Sequence, residues 1–168
     1  MFETLFLAII LYVIAIAYFH FRYPELHWNW DDISTEKMSF PSQFIWGTAT
    51  AAHQVEGNCT NNWSEFEKSS NESGQPNIKD AQQSGIACDH WNRYPEDIKL
   101  IKTLGVSHYR FSVEWSKIEP IQGEFDQDII SHYSKMIDEL LENDIKPVLT
   151  LHHFTHPLLF DKLGAFEK

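Results

Sequence analysis

Val106-Ser107-His108-Tyr109-Arg110-Phe111-Ser112-Val113-Glu114-Trp115 reads as a β-strand, and the segments on either side of it decide the fold. Upstream, Tyr94 to Leu104 is a short amphipathic helix. Ile98, Leu100, Ile101 and Leu104 form its apolar stripe, and Gly105 suits the position just past its end. Downstream, Asp126 to Asn143 is the clearest helix, with Ile129, Ile130, Tyr133, Met136, Ile137, Leu140 and Leu141 at i, i+3 and i+4 spacing. Pro147 then opens a third strand, Val148 to Phe154, whose near-continuous apolar start suits burial on both faces. The first strand is Phe44 to Thr50, where Gly47 lets another backbone come close. Strands alternating with helices imply a parallel sheet with right-handed crossovers.

Two architectures meet this pattern, the doubly wound sheet and the (β/α)8 barrel. No G-x-G-x-x-G follows the first strand and no Walker A sequence occurs anywhere. Polar and ionisable residues gather instead at the carboxyl ends of the strands: His53 and Gln54, Arg110 and Glu114, His152 and His153. Barrel active sites are built there. Gly57 to Asp89 is polar, lacks a period and reads as a long loop, the kind that is usually functional.

The 168 residues are 43% apolar, 22% charged and 14% aromatic, a globular composition long enough for a sizeable core. Six tryptophans and twelve phenylalanines suit a carbohydrate site, where rings stack on sugar C–H faces, and equally suit an ordinary core. A net charge of −11 with no Lys/Arg cluster excludes nucleic acid as a partner. Cys59 and Cys88 form no CxxC motif and no histidine pair flanks them at ligand spacing, so neither a metal nor an organic cofactor is implied. Two unpaired thiols are the preferred reading over a single disulfide.

Leu5 to Phe19 is an unbroken apolar run. At about 1.5 Å per residue it falls short of a roughly 30 Å hydrocarbon core unless its flanks help. Tyr18, Tyr23, Trp28 and Trp30 supply interfacial aromatics for an anchor. A signal peptide fits as well, with Ala15-Ile16-Ala17 as a small-x-small cleavage site, although Glu3 stands where a basic residue is usual. Residues 1–23 are therefore a signal peptide or transmembrane anchor, with membrane association through residues 4–19. Residues 24–37 are a linker, and the protein is expected to be membrane-associated or secreted. Sequons at Asn58, Asn62 and Asn71 mark a glycosylatable surface loop if the chain enters a eukaryotic secretory pathway.

The segment Phe40-Pro41-Ser42-Gln43-Phe44-Ile45-Trp46-Gly47-Thr48-Ala49-Thr50-Ala51-Ala52-His53-Gln54-Val55-Glu56-Gly57 resembles the N-terminal signature of glycoside hydrolase family 1. Three further stretches agree in order: Asp89-His90-Trp91-Asn92-Arg93-Tyr94-Pro95-Glu96-Asp97-Ile98, then Tyr109 to Pro120, then Thr150-Leu151-His152-His153-Phe154-Thr155-His156-Pro157. The resemblance implies that residues 38–168 are the first three βα units of a (β/α)8 TIM barrel, incomplete and preceded by a hydrophobic helix. It implies β-glycoside or oligosaccharide substrates, with Gln54 and His153 binding sugar hydroxyls and Arg110 holding a nucleophilic carboxylate ionised. The family often carries Tyr where His152 stands and Trp where Phe154 stands, and His156 has no role implied.

Family members are retaining β-glycosidases that use two glutamates roughly 5–5.5 Å apart. One lies in a T-x-N-E-P motif on the fourth strand and the other in an [IV]-T-E-N-G motif on the seventh. Neither motif occurs in these 168 residues. The expectation is a chain truncated before both catalytic glutamates and inactive alone, with Glu56 and Glu114 structural. A membrane-tethered, non-catalytic glycosidase-like binding module is the alternative.

Overall fold

The structure, a computed structural model, describes residues 2–23, 34, 36 and 38–167. Trp28, Trp30 and most of the 24–37 linker lie outside the described residues. The chain divides into two compact units, Met1–Phe44 and Ile45–Lys168.

In the first unit, α1 spans Phe2–Arg22. The apolar run is thus extended by its flanks. Within the helix the 19 residues Thr4–Arg22, at about 1.5 Å each, reach about 28 Å and are by length and composition apolar enough to cross a membrane. His20 and Arg22 lie in the last turn, where cations offset the negative end of the helix dipole. Phe19 stacks on Tyr23 just past the end, with ring centroids 5.9 Å apart.

The second unit is built on three parallel strands in the order β1-β2-β3: β1 Gly47–Ala49, β2 His108–Ser112 and β3 Lys146–Thr150. Each is shorter than its apolar pattern, because only the stretch in register with β2 can complete a ladder. Gly47, Thr48 and Ala49 face His108, Tyr109 and Arg110, and β3 pairs His108 through Ser112 with Lys146 through Thr150. A Cβ on Gly47 would stand 2.9 Å from the His108 carbonyl oxygen, which is why glycine sits at this close approach. Pro147 lies inside β3 rather than before it. The Lys146 N–H donates to Ser107, so by alternation the nitrogen of Pro147 points to the outer edge, where no donor is needed.

The helices between the strands are α2 Ala52–Val55, α3 Asn62–Lys68, α4 His90–Thr103, α5 Trp115–Ile118 and α6 Gln127–Glu142, and α7 Leu158–Lys162 follows β3. The ends of α6 follow the sequence closely, because Asp126 caps it by accepting from the N–H groups of Asp128 and Ile129. Two helices depart from expectation. α4 starts at His90 and runs through Pro95, since His90 is buried and its Nδ1 meets Asp97 at 2.6 Å. α3 interrupts the expected long loop. Its start is a reciprocal cap in which the Asn61 side chain accepts from the Ser64 N–H and the Ser64 hydroxyl accepts from the Asn61 N–H.

The core lies between the outer face of the sheet and helices α4 and α6. It comprises Ile98, Ile101, Tyr109, Phe111, Val113, Tyr133, Met136, Leu140 and Ile145. Ile98, Met136 and Leu140 are fully buried, each contributing about 1.5–3 kcal/mol from apolar burial. Because Tyr109 and Phe111 are committed to this side, Arg110 turns to the opposite face of the sheet.

Candidate functional site

Arg110 and His153 meet toward the carboxyl ends of β2 and β3, whereas no contact among the described residues joins Gln54 to either of them. Gln54 sits in α2, one turn beyond β1, with its amide exposed and without a protein partner among the described residues. Arg110 is the third residue of β2, and His153 follows the end of β3. Arg110 Nη1 lies 3.3 Å from His153 Nδ1. A guanidinium only donates, so Nδ1 accepts and the ring N–H is at Nε2, which leaves a donor for a ligand. Among the described residues no carboxylate pairs with Arg110; the ion pairs lie elsewhere.

A buried polar network backs these residues. Glu114 is fully buried. Its Oε2 accepts from Asn61 Nδ2 at 2.9 Å and from the Thr155 hydroxyl at 3.0 Å, and its Oε1 accepts from the Ser116 hydroxyl at 2.7 Å. Glu56, also buried, accepts from the Tyr133 hydroxyl at 2.7 Å and pairs with Lys117 at 2.8 Å. Lys117 Nζ also stands 4.1 Å from the centre of the Trp91 ring. Burial pushes the Glu56 carboxyl above its ordinary range against the pull of Lys117, and burial beside Glu56 raises Tyr133 as well. Both glutamates are consumed by protein partners, so neither is free to attack or protonate a substrate.

His53 extends this network. Its Nδ1 accepts from Asn61 Nδ2 at 3.3 Å, which directs its Nε2 N–H to Glu67, 2.9 Å away. Glu67 also accepts from the Ser84 amide and hydroxyl. Sequence reasoning missed Asn61, Lys117, Tyr133 and Thr155, because each acts through a partner distant in the chain. His156, given no role by sequence, reaches Asp161 at 3.2 Å and stacks against His152. Burial, followed by its neighbours His156 and His153, lowers the His152 pKa. Phe154 is two-thirds exposed and presents a ring beside His153. Cys59 and Cys88 are both free thiols, and no metal-holding cluster of His, Cys, Asp or Glu occurs among the described residues.

Residues 36–168 match the sequence profile of glycosyl hydrolase family 1. The chain belongs to that family. Beta-glucosidase A of Acetivibrio thermocellus is 39% identical over 138 residues, covering 78% of this chain and 30% of the relative. Myrosinase 1 of Brevicoryne brassicae is 36% identical, covering 76% of this chain and 28% of the relative. Among solved structures, the family 1 β-glucosidase of Exiguobacterium antarcticum superposes with a TM-score of 0.70 at 34% identity, over 76% of this chain and 29% of that one. The chain thus spans less than a third of the length of these family members.

Proposed function

We propose that residues 38–168 are the first three βα units of a (β/α)8 barrel, and that their carboxyl ends form part of the sugar-binding mouth of a retaining β-glycosidase. Gln54 exchanges hydrogen bonds with sugar hydroxyls through an amide that both donates and accepts. His153 donates to a hydroxyl through Nε2. Arg110 orients and holds ionised a nucleophilic glutamate from a later strand, while a second glutamate serves as acid and then base. The observation that carries this reading is the Arg110 guanidinium, set against His153 and lacking a carboxylate partner among the described residues. The 168 residues contain neither glutamate motif, and Glu56 and Glu114 cannot substitute, so this chain by itself turns over no glycoside.

The reach of α1 supports membrane association through residues 4–19, as a signal or an anchor, and with it a membrane-associated or secreted protein. It also favours a second reading, a membrane-tethered module that binds glycosides without cleaving them.

Both readings are tested by a barrel in which residues 38–168 replace the matching part of the Acetivibrio thermocellus β-glucosidase. Hydrolysis of nitrophenyl β-D-glucoside, falling about a hundredfold or more in the Arg110→Met variant, supports the catalytic reading. Binding without turnover in a folded chimera favours the tethered module. A folded chimera that neither binds nor cleaves contradicts both.

A further inference from the structure

The turn that carries His153 is held from the start of α3. Immediately after His153 the chain passes through Phe154 with a φ of +67°, a left-handed conformation that a bulky L-residue rarely adopts. Such a residue persists only where its surroundings pin it. Asn62, the first residue of α3, does so with three bonds. Its Nδ2 donates to the Phe154 carbonyl at 3.3 Å, its Oδ1 accepts from the His156 N–H at 3.0 Å, and its own N–H donates to the His156 carbonyl at 3.3 Å. The side-chain amide carries its donor and its acceptor on two separate atoms, so one residue serves both backbone groups at once; a carboxylate lacks the donor and an aliphatic residue lacks both.

We infer that Asn62 is a positioning residue for the sugar-binding imidazole: its amide clasps the Phe154–His156 turn and thereby sets His153 against Arg110. The inference rests on the reading of His153 as a ligand of sugar hydroxyls. With the clasp, Arg110 keeps the ring N–H of His153 on Nε2. Without it, Phe154 relaxes to an ordinary backbone conformation, His153 leaves Arg110, and the N–H is no longer confined to one nitrogen.

The test is nitrogen-15 NMR of the histidine rings and amide exchange on the full 168-residue chain in detergent micelles. The wild type is expected to show one His153 tautomer, protonated at Nε2. In Asn62→Leu, with helix content unchanged by circular dichroism, His153 populates both tautomers and the His156 amide exchanges roughly tenfold faster, as expected for loss of one hydrogen bond. Asn62→Asp keeps the acceptor and loses the donor, so His156 stays protected while His153 still loses its single tautomer. If Asn62→Leu does not fold, Asn62→Asp decides. A His153 tautomer unchanged in the folded variants overturns the inference. Titration with methyl β-D-glucoside of the barrel completed by the Acetivibrio thermocellus β-glucosidase, with and without Asn62→Asp, separates the two ideas. A clasp effect with no sugar response at His153 keeps the positioning role and removes the glycoside reading. A sugar response with no clasp effect does the reverse.

Discussion

Glu114 and Asn61, both fully buried and 53 residues apart, are joined by a 2.9 Å hydrogen bond from the Asn61 amide to the Glu114 carboxylate. This bond ties the segment after β2 to the segment before α3. Thr155 binds the same carboxylate oxygen, which brings in the turn after β3. Glu114→Ala would strand two buried donors, on Asn61 and Thr155, along with the partly buried Ser116, and is expected to cost about 1–3 kcal/mol for each buried group left without a partner. Glu114→Gln, which still accepts at one end, should cost less. Urea unfolding curves check the order, and equal curves for wild type and Glu114→Ala would refute the network's role.

Gly57 has a φ of +87°, and a Cβ there would lie 2.3 Å from the carbonyl oxygen of Ile86. Neither strain nor clash can be relieved by a rotamer change, because the obstacle is backbone. Gly57→Ala should destabilise by about 3 kcal/mol or more, within the large-effect class for special backbone positions. Thermal melts of the two proteins measure this, and a change of melting temperature too small to resolve would refute it.

The two thiols should differ in reactivity. Burial pushes the Cys59 thiol up to about 12, and its Sγ points to the Gly57 carbonyl at 3.7 Å. Cys88 is exposed. Iodoacetamide at pH 8 is expected to modify Cys88 in the folded chain and Cys59 only after denaturation, because the thiolate is the nucleophile. Mass spectrometry of peptides reads both sites, and equal labelling of both in the folded chain would contradict the assignment.

Acid should weaken the segment around Glu67. Partial burial works against its charge, yet the Ser84 amide, His53 and the Ser84 hydroxyl together hold its carboxyl below the ordinary 4.5. The unfolded chain therefore takes up this proton first as pH falls. The stability Glu67 contributes is complete above 4.5 and is lost as pH drops through the lower, folded value. Glu56 acts in the opposite sense, since its folded carboxyl is raised and its contribution falls as pH climbs above 4.5. The stability gap between wild type and Glu67→Gln should accordingly narrow below about pH 4.5, and a gap independent of pH would refute the linkage.

Periodicity made α6 legible almost to its ends, because an amphipathic stripe and a capping aspartate both mark them. Alternating strands and helices gave the parallel sheet, and the four motif stretches gave the family. The strand limits were less legible, since the ladder and not the apolar run decides where β1 and β3 stop. α3 escaped notice because its start rests on an Asn-x-x-Ser reciprocal cap and its body lacks a clear apolar period. Asn62 shows the limit most sharply. By sequence it is the first residue of a sequon, whereas in the fold its amide is engaged by Phe154 and His156, contacts 92 and 94 residues away. Gln54, Arg110 and His153 were nameable through the resemblance, but the contact that fixes the His153 N–H is visible only in three dimensions.

Gln54 and His153 are proposed above to hold a sugar at the mouth of these three strands. Calorimetric titration of the chimeric barrel carrying residues 38–168 with a glucose-configured iminosugar tests it most directly. Saturable binding is expected that weakens by about tenfold in each of Gln54→Ala and His153→Ala, as lost hydrogen bonds require. Binding of undiminished strength in both variants would show that the sugar is held elsewhere and would contradict it.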